Sequence, residues 1–175
     1  MNHTLFVTEV LPMSLFTVQS CIAEESELQF SGFSNETALK LGLFIAERAR
    51  KENKKIAIDI ERHGQQLFHY AMEGTTPDND QWIIRKKNVV NRFHKSSMHV
   101  RCILQEAKMD IETKYFLNPK EYSAHGGSFP LIIKGVGTVG AITVSGLPQE
   151  EDHALMVSCL REFLQINEGF DPTAG

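Results

Sequence analysis

The tightest constraint in this sequence lies in residues 56–61. Ile56, Ile58 and Ile60 alternate with Ala57, Asp59 and Glu61. That is the period-two pattern of a strand with one apolar and one polar face. Arg62-His63-Gly64 supplies turn chemistry, and Gln66 to Met72 returns with Phe68, Tyr70 and Met72 on one face. A connection this short forces antiparallel pairing. The pattern recurs downstream, where a strand from Phe129 to Lys134 turns at Gly135-Val136-Gly137 into another from Thr138 to Ser145. Helical patterns lie before, between and after the two pairs. Separate runs of strands and helices predict an α+β fold, with helices covering one face of an antiparallel sheet. Leu28 to Ser31 offers a short extra strand.

Ser34 caps a helix predicted over 35–53. Ala38, Gly42, Ala46 and Ala49 recur along it at helical spacing, which lets the helix lie close on a sheet. Phe44 falls on the opposite side, as an exposed apolar residue or a subunit contact. A second helix runs from about Asp80 to Lys95, capped by Asp78 or Asn79, and further helix follows to Lys108. Asn118-Pro119-Lys120-Glu121-Tyr122 reads as a helical turn with proline at its first position. The last helix starts at Pro148 and ends near Leu164. This divides the chain into an arm or short helix over 1–25, one α+β domain over 26–164, and a flexible tail over 165–175.

The 175 residues carry 18 Lys plus Arg against 22 Asp plus Glu, a net charge of −4. An acidic balance argues against a dedicated nucleic-acid binder. No apolar run approaches the roughly 20 residues of a membrane helix. Cys21, Cys102 and Cys159 are too few and too scattered for a disulfide framework or paired zinc ligands, which points to reduced thiols in the cytoplasm. The first 25 residues lack Lys and Arg, so they do not resemble a secretory signal.

Several residues sit oddly for a pure core. On a helical wheel Trp82, Lys86, Val89, Val90 and Phe93 share one face, with Lys86 near its centre and Arg85 beside it. An ammonium there must snorkel, pair or lower its pKa. It is a lysine paired with a carboxylate such as Asp59, or a site lysine for an anionic ligand. Between Gln81 and Gln105 lie Arg85, Lys86, Lys87, Arg92, Lys95 and Arg101 and no acid. That is a basic surface for a small anion, or a solvated helix balanced by acidic neighbours. In the last helix Glu150, Glu151 and Asp152 complement the helix dipole. His153 falls on that helix's apolar face and needs a partner there, as a satisfied core residue, a ligand or a proton shuttle. His125-Gly126-Gly127-Ser128 precedes a strand, and its glycines permit close backbone approach or amide donation to an anion. Nucleotide-phosphate loops, HExxH, CxxCH and a GxSxG elbow are all missing, and no closely spaced His/Cys set reads as a metal site.

Three groups of motifs resemble a known family. They are Ala57-Ile58-Asp59-Ile60 with Gly64-Gln65-Gln66-Leu67-Phe68, then Pro77 through Lys87, then His125-Gly126-Gly127-Ser128-Phe129-Pro130 with Val144 through His153. The resemblance is to the haem-degrading-domain family. That family also holds the glycolate-operon accessory protein, the secreted haem-binding protein of streptomycetes and the C-terminal domain of a corrinoid adenosyltransferase. The match is closest to a cytoplasmic branch with bacterial and fungal members, and it spans about Leu28 to Leu164.

This resemblance implies a profilin-like fold, a five-stranded antiparallel sheet flanked by helices, and assembly into dimers or larger homo-oligomers. It also implies binding of a tetrapyrrole such as haem, or of another small anionic ligand. The alternatives are a non-catalytic carboxylate-binding accessory and a protein-interaction module. By motif the site residues are Asp80, Arg85, Lys86, His125, Gly126, Gly127, Ser145, Glu150, Asp152 and His153. In the haem case Arg85 and Lys86 pair with propionates, and His125 or His153 meets the iron. No axial ligand is carried over from the family.

Overall fold

In the computed structural model, which describes residues 16–168, the predicted hairpins form one sheet. β1 (Ala57–Arg62) pairs with β2 (Gln65–Ala71), and β3 (Ser128–Ile133) pairs with β4 (Gly137–Ser145), all antiparallel. β1 and β4 lie side by side at the centre, giving the order β2-β1-β4-β3. The first turn is tight because His63 and Gly64 both take positive φ, 50° and 80°, the type I′ geometry that matches strand twist.

The described residues hold four strands, so the five-stranded expectation is corrected. The segment at Leu28–Ser31 makes one isolated parallel bridge, Phe30 to Ile133. Phe30 donates to the Ile132 carbonyl and accepts from the Lys134 N–H, and the chain bends away at Ser31.

Helices cover both faces of the sheet, not one. α2 (Asn35–Lys51) and α6 (Gln149–Glu168) pack on the apolar face, over Ile58, Ile60, Ile142, Val144, Phe129 and Leu131. Ser34 caps α2 as expected, with Thr37 N–H on its Oγ at 3.1 Å. Gly42 allows the close approach of helix and sheet, since a Cβ there would lie 2.4 Å from the Phe68 ring. Phe44 is not exposed but meets Phe163 edge-on at 5.7 Å. α6 continues to Glu168, past the expected end near Leu164.

α3 (Pro77–Phe93) crosses the other face, against β1, β3 and β4. It starts earlier than expected. Thr76 is the cap, its N–H donating to Asn79 Oδ1 at 2.8 Å, and Pro77 supplies the first-turn φ. α4 (Ser97–Ala107) follows, and a short α5 (Ile111–Tyr115) is capped by Asp110. Residues 118–122 form a hydrogen-bonded turn, and the helix lies about two turns upstream, where Asp110 caps it through the Thr113 N–H. Phe93, Val89, Val100, Leu104 and Ile111 close a second, smaller core there. α1 (Val18–Glu27) lies against α4. The rest of the predicted arm, residues 1–15, and the tail beyond residue 168 lie outside the described residues. No described helix is long and apolar enough to cross a membrane.

Candidate functional site

The period-two pattern sends Asp59, Glu61, Thr143 and Ser145 to the face under α3, and all four are buried. Burying carboxylates requires cations. Lys87, not Lys86, meets Asp59, at 3.2 Å, and it reaches Glu61 at 2.7 Å. Asn91 donates to Glu61, while Gln66 and His69 reach Asp59 from the edge strand. Despite its burial, the two carboxylates hold the Lys87 ammonium above its ordinary pKa.

Lys86 takes a different partner. Its Nζ lies 2.8 Å from Asp152 Oδ2 and 3.1 Å from the Val144 carbonyl, with residue exposures of 3 % and 1 % for Lys86 and Asp152. Asp152 Oδ1 accepts the Leu147 N–H at 3.1 Å, which ties the end of β4 to the first turn of α6. Burial pushes Lys86 down and Asp152 up, in each case against the attraction of the partner charge. Gly127 makes room for the pair. A Cβ on it would lie 2.8 Å from Lys86 Nζ and 2.9 Å from Asp152 Cβ, and its φ is +119°. Gly126 is as crowded, against the Gln149 carbonyl.

A cavity of about 250 Å³ opens beside this pair. Lys86, Asp152, Ser145 and Gln149 line it, with His125 and Trp82 on its outer wall. His125 Nδ1 lies 2.7 Å from Ser123 Oγ, and its ring stands edge-on to Trp82 at 5.3 Å. Burial, then the charges of Arg101 and Lys86, lower the His125 pKa, so the ring is neutral near pH 7. Arg85 lies over Trp82 at 4.3 Å, so its cation steadies that indole. On the far side of Trp82 and His125 lies a larger cavity of about 460 Å³. Leu104, Met109, Ile111 and Tyr122 line it, together with Arg101 and Lys108.

Four of the residues expected from sequence therefore share one cavity: Lys86, His125, Ser145 and Asp152. Gly126 and Gly127 lie behind it as packing positions. The others point elsewhere. Asp80 faces His69, with 3.4 Å between Oδ1 and Nε2, and Glu150 is exposed on α6. His153, fully buried, turns to α1, where Nε2 meets Glu24 at 2.9 Å. It lines neither cavity. Sequence reasoning placed Trp82 in the core and did not single out Ser123. Their signal was adjacency, since Trp82 precedes Arg85 by one helical turn and Ser123 precedes His125 by two residues.

Residues 33–161 match the family described as haem degrading protein HbpS-like. A UPF0303 protein of Serratia proteamaculans is 46% identical over 150 residues, spanning 86% of this chain and 93% of its own.

The chain belongs to the HbpS-like haem-degrading family.

Among solved structures, that of the Ybr137w protein is 33% identical, with a TM-score of 0.80 over 86% of this chain and 89% of that one. The PduOC:heme complex superposes with a TM-score of 0.63 at 17% identity, over 75% of this chain and 94% of that one. At that identity the likeness shows a shared fold. Lys86 is paired with Asp152, whereas Arg85 stacks on Trp82, lines neither cavity and leaves its buried Nε without a hydrogen-bond partner. The cations left beside a cavity are Arg101 and Lys108, at the larger one.

Proposed function

We propose that this protein binds a flat, carboxylate-bearing ligand of the tetrapyrrole class in the larger cavity, with His125 meeting its centre. The observation that carries this reading is the position of His125. It stands in the wall between the two cavities, neutral, with one ring nitrogen fixed by Ser123 and an indole edge beside it. A neutral imidazole held through one nitrogen is oriented to ligate through the other. Leu104, Met109, Ile111 and Tyr122 suit an apolar macrocycle, and Arg101 and Lys108 suit its carboxylates. A protein of the same fold is named as a heme complex. Haem, when bound, would supply an iron whose behaviour depends on its axial ligand and on the polarity around it. The chain's own residues would orient the ligand, keep its apolar faces dry and offer a nitrogen at one position.

Haemin titration of the full chain tests this. A saturable shift of the Soret band is expected, and it is lost or moved in His125→Ala. A wild-type titration without a saturable band refutes the reading.

A second reading rests on the smaller cavity. Lys86 has three N–H groups, and Asp152 and the Val144 carbonyl take two of them. The third suits one carboxylate oxygen of a small acid, with Gln149 and His125 alongside. Calorimetry with small dicarboxylates separates the two readings, because haemin would not compete at that depth. On either reading we place the protein in the cytoplasm as a homo-oligomer. Leu39 and Leu43, exposed one turn apart on α2, would form a contact surface. Leu43→Glu then lowers the mass seen by light scattering.

A further inference from the structure

Three helices bring their chemically softest side chains to one buried point, well apart in sequence. Cys21 lies in the middle of α1 and Glu24 one turn further on, Cys102 lies in α4, and His153 lies in α6. Cys21, Glu24 and His153 each offer a ligand atom, and the three atoms lie within 4.8 Å of one another. Cys102 packs with Cys21 in one buried cluster, and its thiol donates to the Phe16 carbonyl at 3.5 Å, a bond it would leave to join them. Zinc bound tetrahedrally by sulfur at about 2.3 Å and by nitrogen or oxygen at about 2.0–2.2 Å spaces its ligands roughly 3.3–3.8 Å apart. The three atoms, within 4.8 Å of one another, exceed that spacing by no more than about 1–1.5 Å.

We propose that Cys21, Cys102 and His153, whose ring Glu24 orients, bind a thiophilic divalent cation, zinc(II) foremost, which fastens α1 to α4 and α6.

The second observation is an unpartnered atom. His153 is 0 % exposed, and its Nδ1 is buried with no hydrogen-bond partner, while Nε2 meets Glu24. Phe16 stands edge-on to the ring at 4.7 Å and Phe129 lies at 6.4 Å, so apolar groups flank it. A buried imidazole left half-satisfied costs about 1–3 kcal/mol. A cation takes that lone pair, and the Glu24 carboxylate, across the ring at Nε2, fixes its orientation as an outer partner. Metal binding then releases the thiol protons, as is general for thiolate sites. The neighbouring contact supports the same docking. Glu25 meets His99 Nδ1 at 3.0 Å and accepts the Ser96 N–H at 2.7 Å, which sets α1 against the start of α4. No residue of this cluster lines either cavity, so the site stands whether or not a tetrapyrrole binds.

The test is a cobalt(II) titration of the reduced, metal-stripped full chain, followed by displacement with zinc. One equivalent is expected to give a thiolate-to-cobalt charge-transfer absorption together with the intense visible bands of tetrahedral cobalt. Zinc should abolish both and slow proteolysis of α1. Cys21→Ser/Cys102→Ser should lose the charge-transfer absorption. His153→Asn should weaken binding by more than the roughly 10–100-fold of an outer partner. Urea unfolding of each variant reports whether it folds, and the wild-type titration decides even where one does not. A titration with no charge-transfer band overturns the proposal, as does uptake unchanged in the double serine variant. So does a pair that oxidises to a disulfide while the reduced protein takes up no metal.

Discussion

The buried pair Lys86–Asp152 gives the sharpest test of how this fold is held together. Lys86→Met removes the ammonium and leaves the Asp152 carboxylate 1 % exposed, with the backbone N–H of Leu147 as its remaining short contact. Breaking one side of a buried pair costs about 3–5 kcal/mol. For a chain of this size each kcal/mol moves Tm by about 2–4 °C, so a fall of roughly 6–20 °C is expected. Both charges are disfavoured by burial, since Lys86 sits below its ordinary pKa and Asp152 above its own. The attraction therefore does not repay desolvation in full. Removing both charges should then cost little. In Lys86→Met/Asp152→Asn the amide keeps an acceptor for Leu147 N–H and turns a donor toward the space the ammonium leaves. The double variant should recover more than half of the loss.

Urea denaturation of the wild type, both single variants and the double variant closes the cycle. The pH dependence adds a signature. A lysine whose folded pKa lies below 10.5 is more protonated in the unfolded chain between the two values. Stability attributable to Lys86 therefore rises with pH across that window, and Lys86→Met lacks the slope. The reasoning fails if Lys86→Met costs less than about 1 kcal/mol, or if the double variant is no more stable than that single one.

His125 carries a second pH prediction. Its folded pKa lies below 6.5, so the neutral ring persists at pH 6.5 and is lost as pH falls through the lower folded value. Haemin affinity measured against pH should have its midpoint below 6.5, and a midpoint above it contradicts the burial argument. Gly42→Val should cost about 1–3 kcal/mol by driving α2 off the Phe68 ring, read as a lower urea midpoint with an unchanged m-value. Arg161 meets Glu27 through two bonds of 2.6 and 2.8 Å on the surface. Arg161→Ala should still cost no more than about 1 kcal/mol, less in high salt, and a larger loss would mean the pair is better shielded than its exposure implies.

The sheet was legible because the Ile56–Ile60 alternation and the His63-Gly64 turn are local features that packing does not overrule. The site was half legible. Lys86 stood out on an apolar face, but its wheel position cannot choose between Asp59 and Asp152, which lie on different elements. The choice follows from one residue of helical rotation, which sends Lys87 to β1 and Lys86 to the end of β4. The glycines before β3 suggested an anion cradle, and they serve to let two charged side chains meet. The Cys21, Cys102, Glu24 and His153 cluster was invisible for the same reason. Its spacing in sequence is set by three separate helices, and no short motif records it.

The two faces of the sheet then have separate tasks. The face under α2 and α6 is apolar and tolerant, since Ile and Leu side chains can exchange volume with neighbours. The face under α3 carries Asp59, Glu61, Ser128, Thr143 and Ser145, each buried and each needing one particular partner. Such a face fixes the rotation of α3 to one residue, because a slip would send Lys86 and Lys87 to the wrong acids. Rotation of α3 in turn sets Trp82 and the wall it shares with His125. The polar face thus adds little net stability and decides where the cavity wall stands, and for that reason the double variant at Lys86 and Asp152 should fold nearly as well as the wild type and bind worse.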